Sequence, residues 1–179
     1  KKYYEREAEV IYPPIDCSQF YISDKVGNYF LAGGRLVAYK RFDLVIEVFN
    51  RLKLPLIIFG RGPYEDRLRK MAGKNVQFVG HVSDPEKARL LSECVAFVHP
   101  QLEDFGLLPV EAMASGRPVI AYGRGGALES VAEKTTGVFF PEQTWENLLD
   151  AVIGFKPEQY NPVEIRKWAQ QFDLPKFKA

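Results

Sequence analysis

The chain has 179 residues, 46% of them apolar and 13% aromatic, which is enough to bury the core of one globular domain. Lys and Arg number 24 and Asp and Glu 23, and this near balance excludes a global field that would attract nucleic acid. Cys17 and Cys94 are too few for a disulfide framework or a four-ligand zinc site, so we expect two reduced structural thiols. No apolar stretch approaches the roughly 20 residues that span a bilayer, and the first residues lack a hydrophobic signal core. We therefore expect a soluble, cytoplasmic protein.

Short apolar runs alternate with amphipathic stretches along the chain, which is typical of a parallel sheet covered by helices on both faces. The predicted strands are residues 8–12, 29–33, 56–60, 76–80, 94–98 and 118–122, with a weaker one at 137–140. No internal repeat or flexible linker interrupts the pattern. The sequence therefore predicts an α/β fold, a Rossmann-like three-layer α/β/α domain over residues 1–179 with a parallel sheet of about six strands.

The helices are predicted between these strands. Apolar residues at helical spacing predict a helix over 40–53, and further helices are predicted over 64–72, 108–115, 144–152 and 162–172. Ser83 and Glu86 lie three residues apart with Pro85 between them, which is the pattern of a helix start. Gly116 is expected to end the helix predicted over 108–115.

A glycine-rich turn follows the strand at 29–33. In the segment 33–40 (GGRLVAYK), Arg35 and Lys40 are two cations five residues apart at the start of a helix. Glycine lets the backbone approach a ligand closely, and a guanidinium with an ammonium neutralises the two charges of a diphosphate. An ordinary strand-to-helix turn with solvated charges fits this segment equally well, so both interpretations stay open at this point.

The segment 100–111 (PQLEDFGLLPVE) carries a second set of polar groups after a strand. Glu103 lies in the loop, Phe105 and Gly106 open the next helix, and Glu111 falls about one turn into it. Free N–H groups at a helix start bind phosphate or sugar oxygens, and a carboxylate accepts hydrogen bonds from paired hydroxyls. A solvated Glu111 is the alternative, but its small and apolar neighbours at 110 and 112–114 indicate burial.

At this point the chain resembles family 4 of the retaining glycosyltransferases. Glu103 and Glu111, separated by seven residues, resemble the E-x7-E signature of that family. Further segments resemble the family in its own order, namely 15–20 (IDCSQF), 34–36 (GRL) with Lys40, 60–63 (GRGP), 80–82 (GHV) and 136–140 (TGVFF). Because these segments cover nearly the whole chain, the resemblance does not depend on the spacing of the two glutamates alone.

The resemblance implies roles for the diphosphate and ribose parts of a nucleotide-sugar donor. Arg35 and Lys40, with the turn at Gly34, resemble the residues that hold the donor diphosphate. Glu111 resembles the carboxylate that binds the ribose, and Leu108 would border the phosphate and the ribose.

It also implies residues for the transferred sugar. Glu103 and the backbone amides of Phe105, Gly106 and Leu107 resemble the part of the family that holds this sugar. Asp104 stands where many members have glycine, and it adds a negative charge beside the sugar.

The base of the nucleotide is expected near Val82, whose backbone matches the family position that meets it. Arg61 stands where many members have an acidic residue, and it is expected beside the base. The EDFG form at 103–106, together with 122–129 (YGRGGALE), most resembles mannosyltransferases that assemble surface polysaccharides from GDP-mannose. GDP-mannose or another nucleoside diphosphate sugar is therefore the expected donor.

Family 4 enzymes have the GT-B fold of two Rossmann-like domains, with the reaction in the cleft between them. The resemblance implies that this chain is the C-terminal donor-binding half and that residues 162–179 form the crossover helix region. An N-terminal acceptor domain is expected to supply the catalytic groups, so no catalytic residue is assigned and the half alone is expected to be inactive. A glycan or lipid-linked acceptor would bind through that domain, and peripheral association with the inner face of the cell membrane stays open.

No metal or other cofactor is expected, because members of this architecture neutralise the diphosphate with cations and helix dipoles. His81 and His99 follow strands, but no third ligand is suitably spaced for zinc, so both are interpreted as ordinary hydrogen-bonded histidines.

Two other functions remain as alternatives. A nucleotide-sugar epimerase of the same architecture also uses two carboxylates near a diphosphate, and a non-enzymatic module would bind nucleotide sugars without catalysis. A dehydrogenase is not favoured, since 60–65 (GRGPYE) and 123–128 (GRGGAL) both lack the third glycine of the dinucleotide fingerprint.

Overall fold

The computed structural model describes residue 7 and residues 9–178, and it is an alternation of strands and helices. The strands are β1 (Phe30–Gly33), β2 (Leu56–Phe59), β3 (Val76–Gly80), β4 (Phe97–His99), β5 (Val119–Tyr122) and β6 (Gly137–Phe140). The helices are α1 (Phe42–Leu52), α2 (Glu65–Met71), α3 (Asp84–Glu93), α4 (Leu107–Ala114), α5 (Ala127–Ser130), α6 (Trp145–Gly154), α7 (Pro162–Ala169) and α8 (Leu174–Lys178). Short 3-10 turns lie at Cys17–Gln19, Ala38–Lys40, Pro157–Gln159 and Gln170–Phe172.

The six strands form one parallel sheet in the order β3-β2-β1-β4-β5-β6. Alternate residues of a strand point to opposite faces, so Leu31 packs with α3, α4 and α7 while Ala32 packs with α1, α2 and α6. Both faces of the sheet are therefore covered, which explains why its strands are continuous apolar runs. The predicted α/β class, the three layers and the number of strands are confirmed. In such a sheet, the strand order reverses between β1 and β4, and ligands bind beyond the carboxyl ends of the strands at this point.

Local sequence signals set most of the helix ends. The Ser83 side chain accepts a hydrogen bond from the Glu86 N–H, which confirms the predicted start of α3. Gly116 has a φ of 72° after α4, as its predicted role as a terminator requires. Helix α1 begins later than the predicted residue 40, because Arg41 adopts a left-handed conformation with a φ of 54° after the turn Ala38–Lys40.

Two predicted strands need correction. Residues 9–12 of the strand predicted over 8–12 are not in a sheet, and Val10 and Ile11 are exposed, while Ala8 lies outside the described residues. Alternating apolar residues form a strand only where they pair with a neighbouring strand, and residues 9–12 make no such pairing among the described residues. The strand predicted over 94–98 begins later, at Phe97, because Cys94 ends α3 and is buried beneath it.

The predicted helix over 162–172 is three elements instead of one. Helix α7 ends at Ala169, the turn Gln170–Phe172 follows, and α8 begins at Leu174. The break places Asp173 beside Ile15 in a parallel bridge, and the Asp173 carboxylate accepts a hydrogen bond from the Cys17 N–H at 3.0 Å. The segment before β1 is thereby joined to the segment after α7. Across the described part of the chain, no helix combines the length and the apolar character needed to cross a membrane.

Candidate functional site

Two adjoining clefts open at the carboxyl edge of the sheet, and Leu108 borders both. The α4 cleft, about 530 Å³ in volume, is lined by Tyr39, Lys40 and residues 102–108. The loop cleft, about 410 Å³, is lined by Gly34, Arg35, Phe59, Gly60, Arg61, His81, Val82, Asp84, Lys87 and Leu108. The structure thus brings together nearly all of the residues predicted from the sequence. The predicted sugar residues are in the first cleft, and the predicted base residues are in the second.

In the α4 cleft, an ion pair joins the two clusters of predicted residues. The Lys40 ammonium lies 2.6 Å from Oε1 of Glu103, and the two side chains are 13% and 24% exposed. The resemblance predicts that the cation holds the diphosphate and that the carboxylate holds the sugar. The ion pair therefore lets each of these two side chains neutralise the charge of the other.

The N-terminus of α4 faces the same cleft. Gly106 precedes the helix with a φ of 86°, and no side chain caps the first turn. The N–H groups of Leu107 and Leu108 have no carbonyl to reach within the helix, and Pro109 at the third position has no N–H. A Cβ at Gly106 would lie 3.2 Å from His99 Nε2, so the position suits glycine both in conformation and in space. This turn presents backbone donors and the positive end of the helix dipole to the cleft.

The glycines between the two clefts bring backbone against backbone. Gly34 and Gly60 have φ values of 125° and 109°, and a Cβ on Gly60 would overlap the Gly34 carbonyl. A Cβ on Gly62 would likewise overlap the carbonyl of Leu36, whose N–H donates to the Arg61 carbonyl at 2.9 Å. For the glycines of the segment 33–40, the sequence predicts a close approach of the backbone to a ligand. At Gly60 and Gly62, the space is taken by the neighbouring loop instead.

Two cations of the loop cleft are unpaired. Within the described part of the chain, the side chains of Arg35 and Arg61 make no hydrogen bond or ion pair, and both residues are exposed. A Cβ at Gly80 would lie 3.4 Å from Nη2 of Arg61, so this guanidinium lies over the end of β3 beside Val82. The arrangement leaves positive charge available at one wall of the cleft.

Glu111 is held by a residue that sequence reasoning missed. Lys87 lies 3.0 Å from its Oε1 and 3.6 Å from Asp84, while Oε2 is buried without a partner among the described residues. Burial raises the pKa of Glu111, although the Lys87 hydrogen bond opposes this effect. The predicted start of α3 at Ser83 placed Lys87 in the second turn of a helix. Nothing in the sequence showed which side of that helix faces α4.

His99 lies beneath the α4 cleft, and it differs from the ordinary hydrogen-bonded histidine that we predicted. It is 1% exposed, and its Nδ1 has no partner in the described part of the chain. Burial lowers the pKa of His99 to about 4, against the opposing effect of the Glu103 carboxylate, so the ring is neutral at pH 7. His81 is exposed in the loop cleft. Among the residues described, no three or more His, Cys, Asp or Glu side chains are grouped so as to hold a metal ion.

Known proteins share both the sequence pattern and the fold. The family model described as "Glycosyl transferases group 1" matches residues 18–171. The alpha-1,3/1,6-mannosyltransferase ALG2 of Mus musculus is 31% identical over 166 residues, covering 74% of this chain and 40% of that protein. The O-antigen chain mannosyltransferase C of Escherichia coli is 29% identical over 133 residues, covering 70% of this chain and 36% of that protein.

Solved structures extend the agreement to the whole described fold. Sucrose-phosphate synthase from Thermosynechococcus elongatus aligns with a TM-score of 0.84 at 24% identity, covering 94% of this chain and 49% of that one. Anabaena HepE in complex with UDP and glucose aligns with a TM-score of 0.80 at 23% identity, covering 94% of this chain and 54% of that one. The chain spans about 40% of the length of the mouse relative and about half of these structures. On the match over residues 18–171, the chain belongs to the group 1 family of glycosyl transferases.

Proposed function

We propose that this chain is the donor-binding domain of a retaining glycosyltransferase that transfers mannose from GDP-mannose to a glycan or lipid-linked acceptor. The acceptor and the catalytic groups belong to a further domain in this proposal. The observation that carries it is the pair of adjoining clefts at the carboxyl edge of the sheet, joined at Leu108. The α4 cleft offers carboxylates and helix N–H groups to a sugar. The loop cleft offers cations to a nucleotide, and one of them, Lys87, holds the buried Glu111 carboxylate.

The diphosphate is proposed to lie across the Gly34 turn. A Cβ at Gly34 would lie 3.5 Å from Nζ of Lys40, so this ammonium borders the turn that Arg35 follows. Arg35 has no other partner in the described part of the chain, and the N-terminus of α4 adds its backbone donors from the opposite side. Two cations and a helix dipole supply the positive charge that a leaving diphosphate needs, so the proposal includes no metal.

The ribose is proposed to bind at Glu111. Its buried Oε2 lacks a hydrogen-bond partner, and a buried carboxylate oxygen left in that state is costly. Lys87 holds the other oxygen, which fixes the carboxylate with one acceptor available. A ribose hydroxyl is a donor that would satisfy it.

Two observations support guanine and mannose in particular. Arg61 presents a guanidinium beside Val82 in the loop cleft, and a guanidinium donates two parallel hydrogen bonds to O6 and N7 of guanine. The mouse and Escherichia coli relatives are described as mannosyltransferases. Membership of a glycosyl transferase family also leaves the epimerase alternative without support.

The proposal also includes a cytoplasmic location. Cys17 and Cys94 are buried and unpaired in the described part of the chain, as is usual in a reducing compartment. Contact with the inner face of a membrane would depend on the acceptor and on the further domain.

Calorimetric titration of GDP, UDP and ADP tests the proposal. We expect GDP to bind most tightly, and Arg35→Ala or Lys40→Ala to lower its affinity by about 10- to 150-fold, the equivalent of about 1.5–3 kcal/mol for a charge-assisted bond. Lys25→Ala is the control, because Lys25 precedes β1 at the opposite edge of the sheet and is exposed. Unchanged GDP affinity in both cleft variants would remove the diphosphate role.

A further inference from the structure

Three aromatic rings pack together beside the α4 cleft. Tyr12 stacks on Phe105, with ring centroids 5.4 Å apart and planes inclined by 26°. Phe172 meets both rings edge-on, at 5.5 Å from Tyr12 and 5.4 Å from Phe105. We call these three residues the ring cluster. Phe105 is the member that lies within the proposed sugar site.

The ring cluster connects three distant parts of the sequence. Tyr12 belongs to the irregular segment before β1, and Phe172 belongs to the turn between α7 and α8. The Ile15 N–H donates to the Phe172 carbonyl at 2.9 Å, so these two segments are joined to each other. The Phe105 ring is therefore packed between two segments that lie outside the sheet.

The backbone of the same loop is fixed on its other side by the turn before α5. The Gly126 N–H donates to the Glu103 carbonyl at 2.9 Å, and a Cβ at Gly126 would collide with the backbone of Phe105. Residues 103–106 are thus clamped between this turn and the ring cluster. Loss of the Tyr12 ring would therefore let residues 103–106 shift, while the strands of the sheet stay in place.

We propose that Tyr12 is a positioning residue for the sugar half of the donor site, acting through its stack on Phe105. The identity of the ligand rests on the proposed function, whereas the mechanical role does not. The stack holds Phe105, and Phe105 in turn fixes the neighbouring Glu103 carboxylate and the start of α4. Tyr12 is not among the residues that line the loop cleft, so we expect the nucleotide half to keep its geometry when the Tyr12 side chain is removed.

Variants of Tyr12 separate its ring from its hydroxyl group. The neighbouring Glu129 side chain raises the pKa of the Tyr12 hydroxyl. Tyr12→Phe keeps the ring and removes the hydroxyl, whereas Tyr12→Ala removes both. Ile11→Ala serves as a control, because Ile11 is the adjacent apolar side chain and is 71% exposed.

The first measurement is amide hydrogen exchange on the ligand-free chain. In Tyr12→Ala, we expect the Gly126 N–H to exchange about three- to tenfold faster, as follows from losing one aromatic pair. The Gly123 N–H, which donates to the Phe140 carbonyl at 3.0 Å, should be unaffected and reports on folding. Tyr12→Phe and Ile11→Ala should match the wild type. An unchanged Gly126 rate in Tyr12→Ala would overturn the proposal, whatever ligand the chain binds.

The second measurement is calorimetric affinity for GDP and for GDP-mannose. Tyr12→Ala should lower the affinity for GDP-mannose about three- to tenfold and leave the affinity for GDP unchanged. Tyr12→Phe should bind both ligands as the wild type does. An equal loss for both ligands would reduce Tyr12 to a general structural residue and overturn its positioning role. Failure of the wild type to bind either ligand would count against the proposed function, while the exchange experiment would still decide the role of Tyr12.

Discussion

Replacing Glu103 with glutamine should make the chain bind bare GDP more tightly. The Glu103 carboxylate is 2.6 Å from the Lys40 ammonium, which is one of the two cations proposed for the diphosphate. A diphosphate must compete with Glu103 for this ammonium. Glutamine keeps the shape of the side chain but carries no charge, so Lys40 would be free to turn to the ligand.

The size of the effect follows from the burial of this ion pair. With side chains 13% and 24% exposed, the pair is only partly screened, and unit charges at such short range attract by several kcal/mol at an effective dielectric of about 20. Most of this attraction is cancelled by the desolvation of both groups. A net of about 1 kcal/mol remains, and its release corresponds to about fivefold tighter GDP binding.

The same substitution should not strengthen the binding of the sugar nucleotide. A glutamine amide accepts fewer hydrogen bonds from sugar hydroxyls than a carboxylate does, so GDP-mannose should gain no affinity. The ratio of GDP-mannose affinity to GDP affinity should therefore fall by about fivefold or more.

Calorimetry of GDP and GDP-mannose at fixed salt measures both effects. Glu47→Gln is the matched control, because Glu47 pairs with Arg51 at 2.9 Å on the outer surface of α1 and removing it changes the net charge equally. A lower GDP affinity in Glu103→Gln would refute competition for Lys40. A gain in GDP affinity in Glu47→Gln as large as that in Glu103→Gln would also refute it.

Three further predictions follow from the site and its supports. Lys87→Met should weaken GDP binding by about tenfold in calorimetry, because it leaves the Glu111 carboxylate buried without its partner, and Lys87→Arg should retain most of the affinity. Gly60→Ala should lower the free energy of unfolding by about 2–4 kcal/mol in urea titrations, since the position has a positive φ and no room for a Cβ. Gly154→Ala, with open space around it at the end of α6, should be neutral or stabilising and so provides the comparison. Because the pKa of His99 is lowered from 6.5 to about 4, its stabilising contribution is present above pH 6.5 and lost as the pH falls towards 4. Urea titrations from pH 7 to 4 should show that the free energy of unfolding falls by up to about 3 kcal/mol, and that it falls less in His99→Gln. An equal pH dependence of this free energy in the two proteins would contradict the prediction.

The sequence predicted the fold closely wherever a buried apolar run was bounded by turn residues. The bounds of β3 and β6 agree with the prediction, and the start of α3 agrees because a serine cap is a local signal. The strand predicted over 8–12 was wrong for residues 9–12, since a strand requires pairing with a neighbour and these residues do not pair with the sheet. A sheet is a long-range structure, and its edges are not visible in a local pattern.

The composition of the candidate site could be predicted, but not its internal pairing. Parallel strands end at one edge, so residues that follow β1, β2, β3 and β4 had to gather there. Which of them pair is decided by side-chain packing between separate elements. The contacts of Lys40 with Glu103 and of Lys87 with Glu111 both bridge elements in this way, and no spacing in the sequence encodes them.

The parallel bridge between Ile15 and Asp173 has a mechanical consequence. Adjacent paired strands lie about 4.8 Å apart, so the segments that enter and leave the fold do so at practically one point on its surface. If the further domain of the proposed enzyme is connected through these two segments, it would rotate about their shared position without changing the contacts inside this domain. Torque applied through either segment would reach both together, because neither can move far without the other.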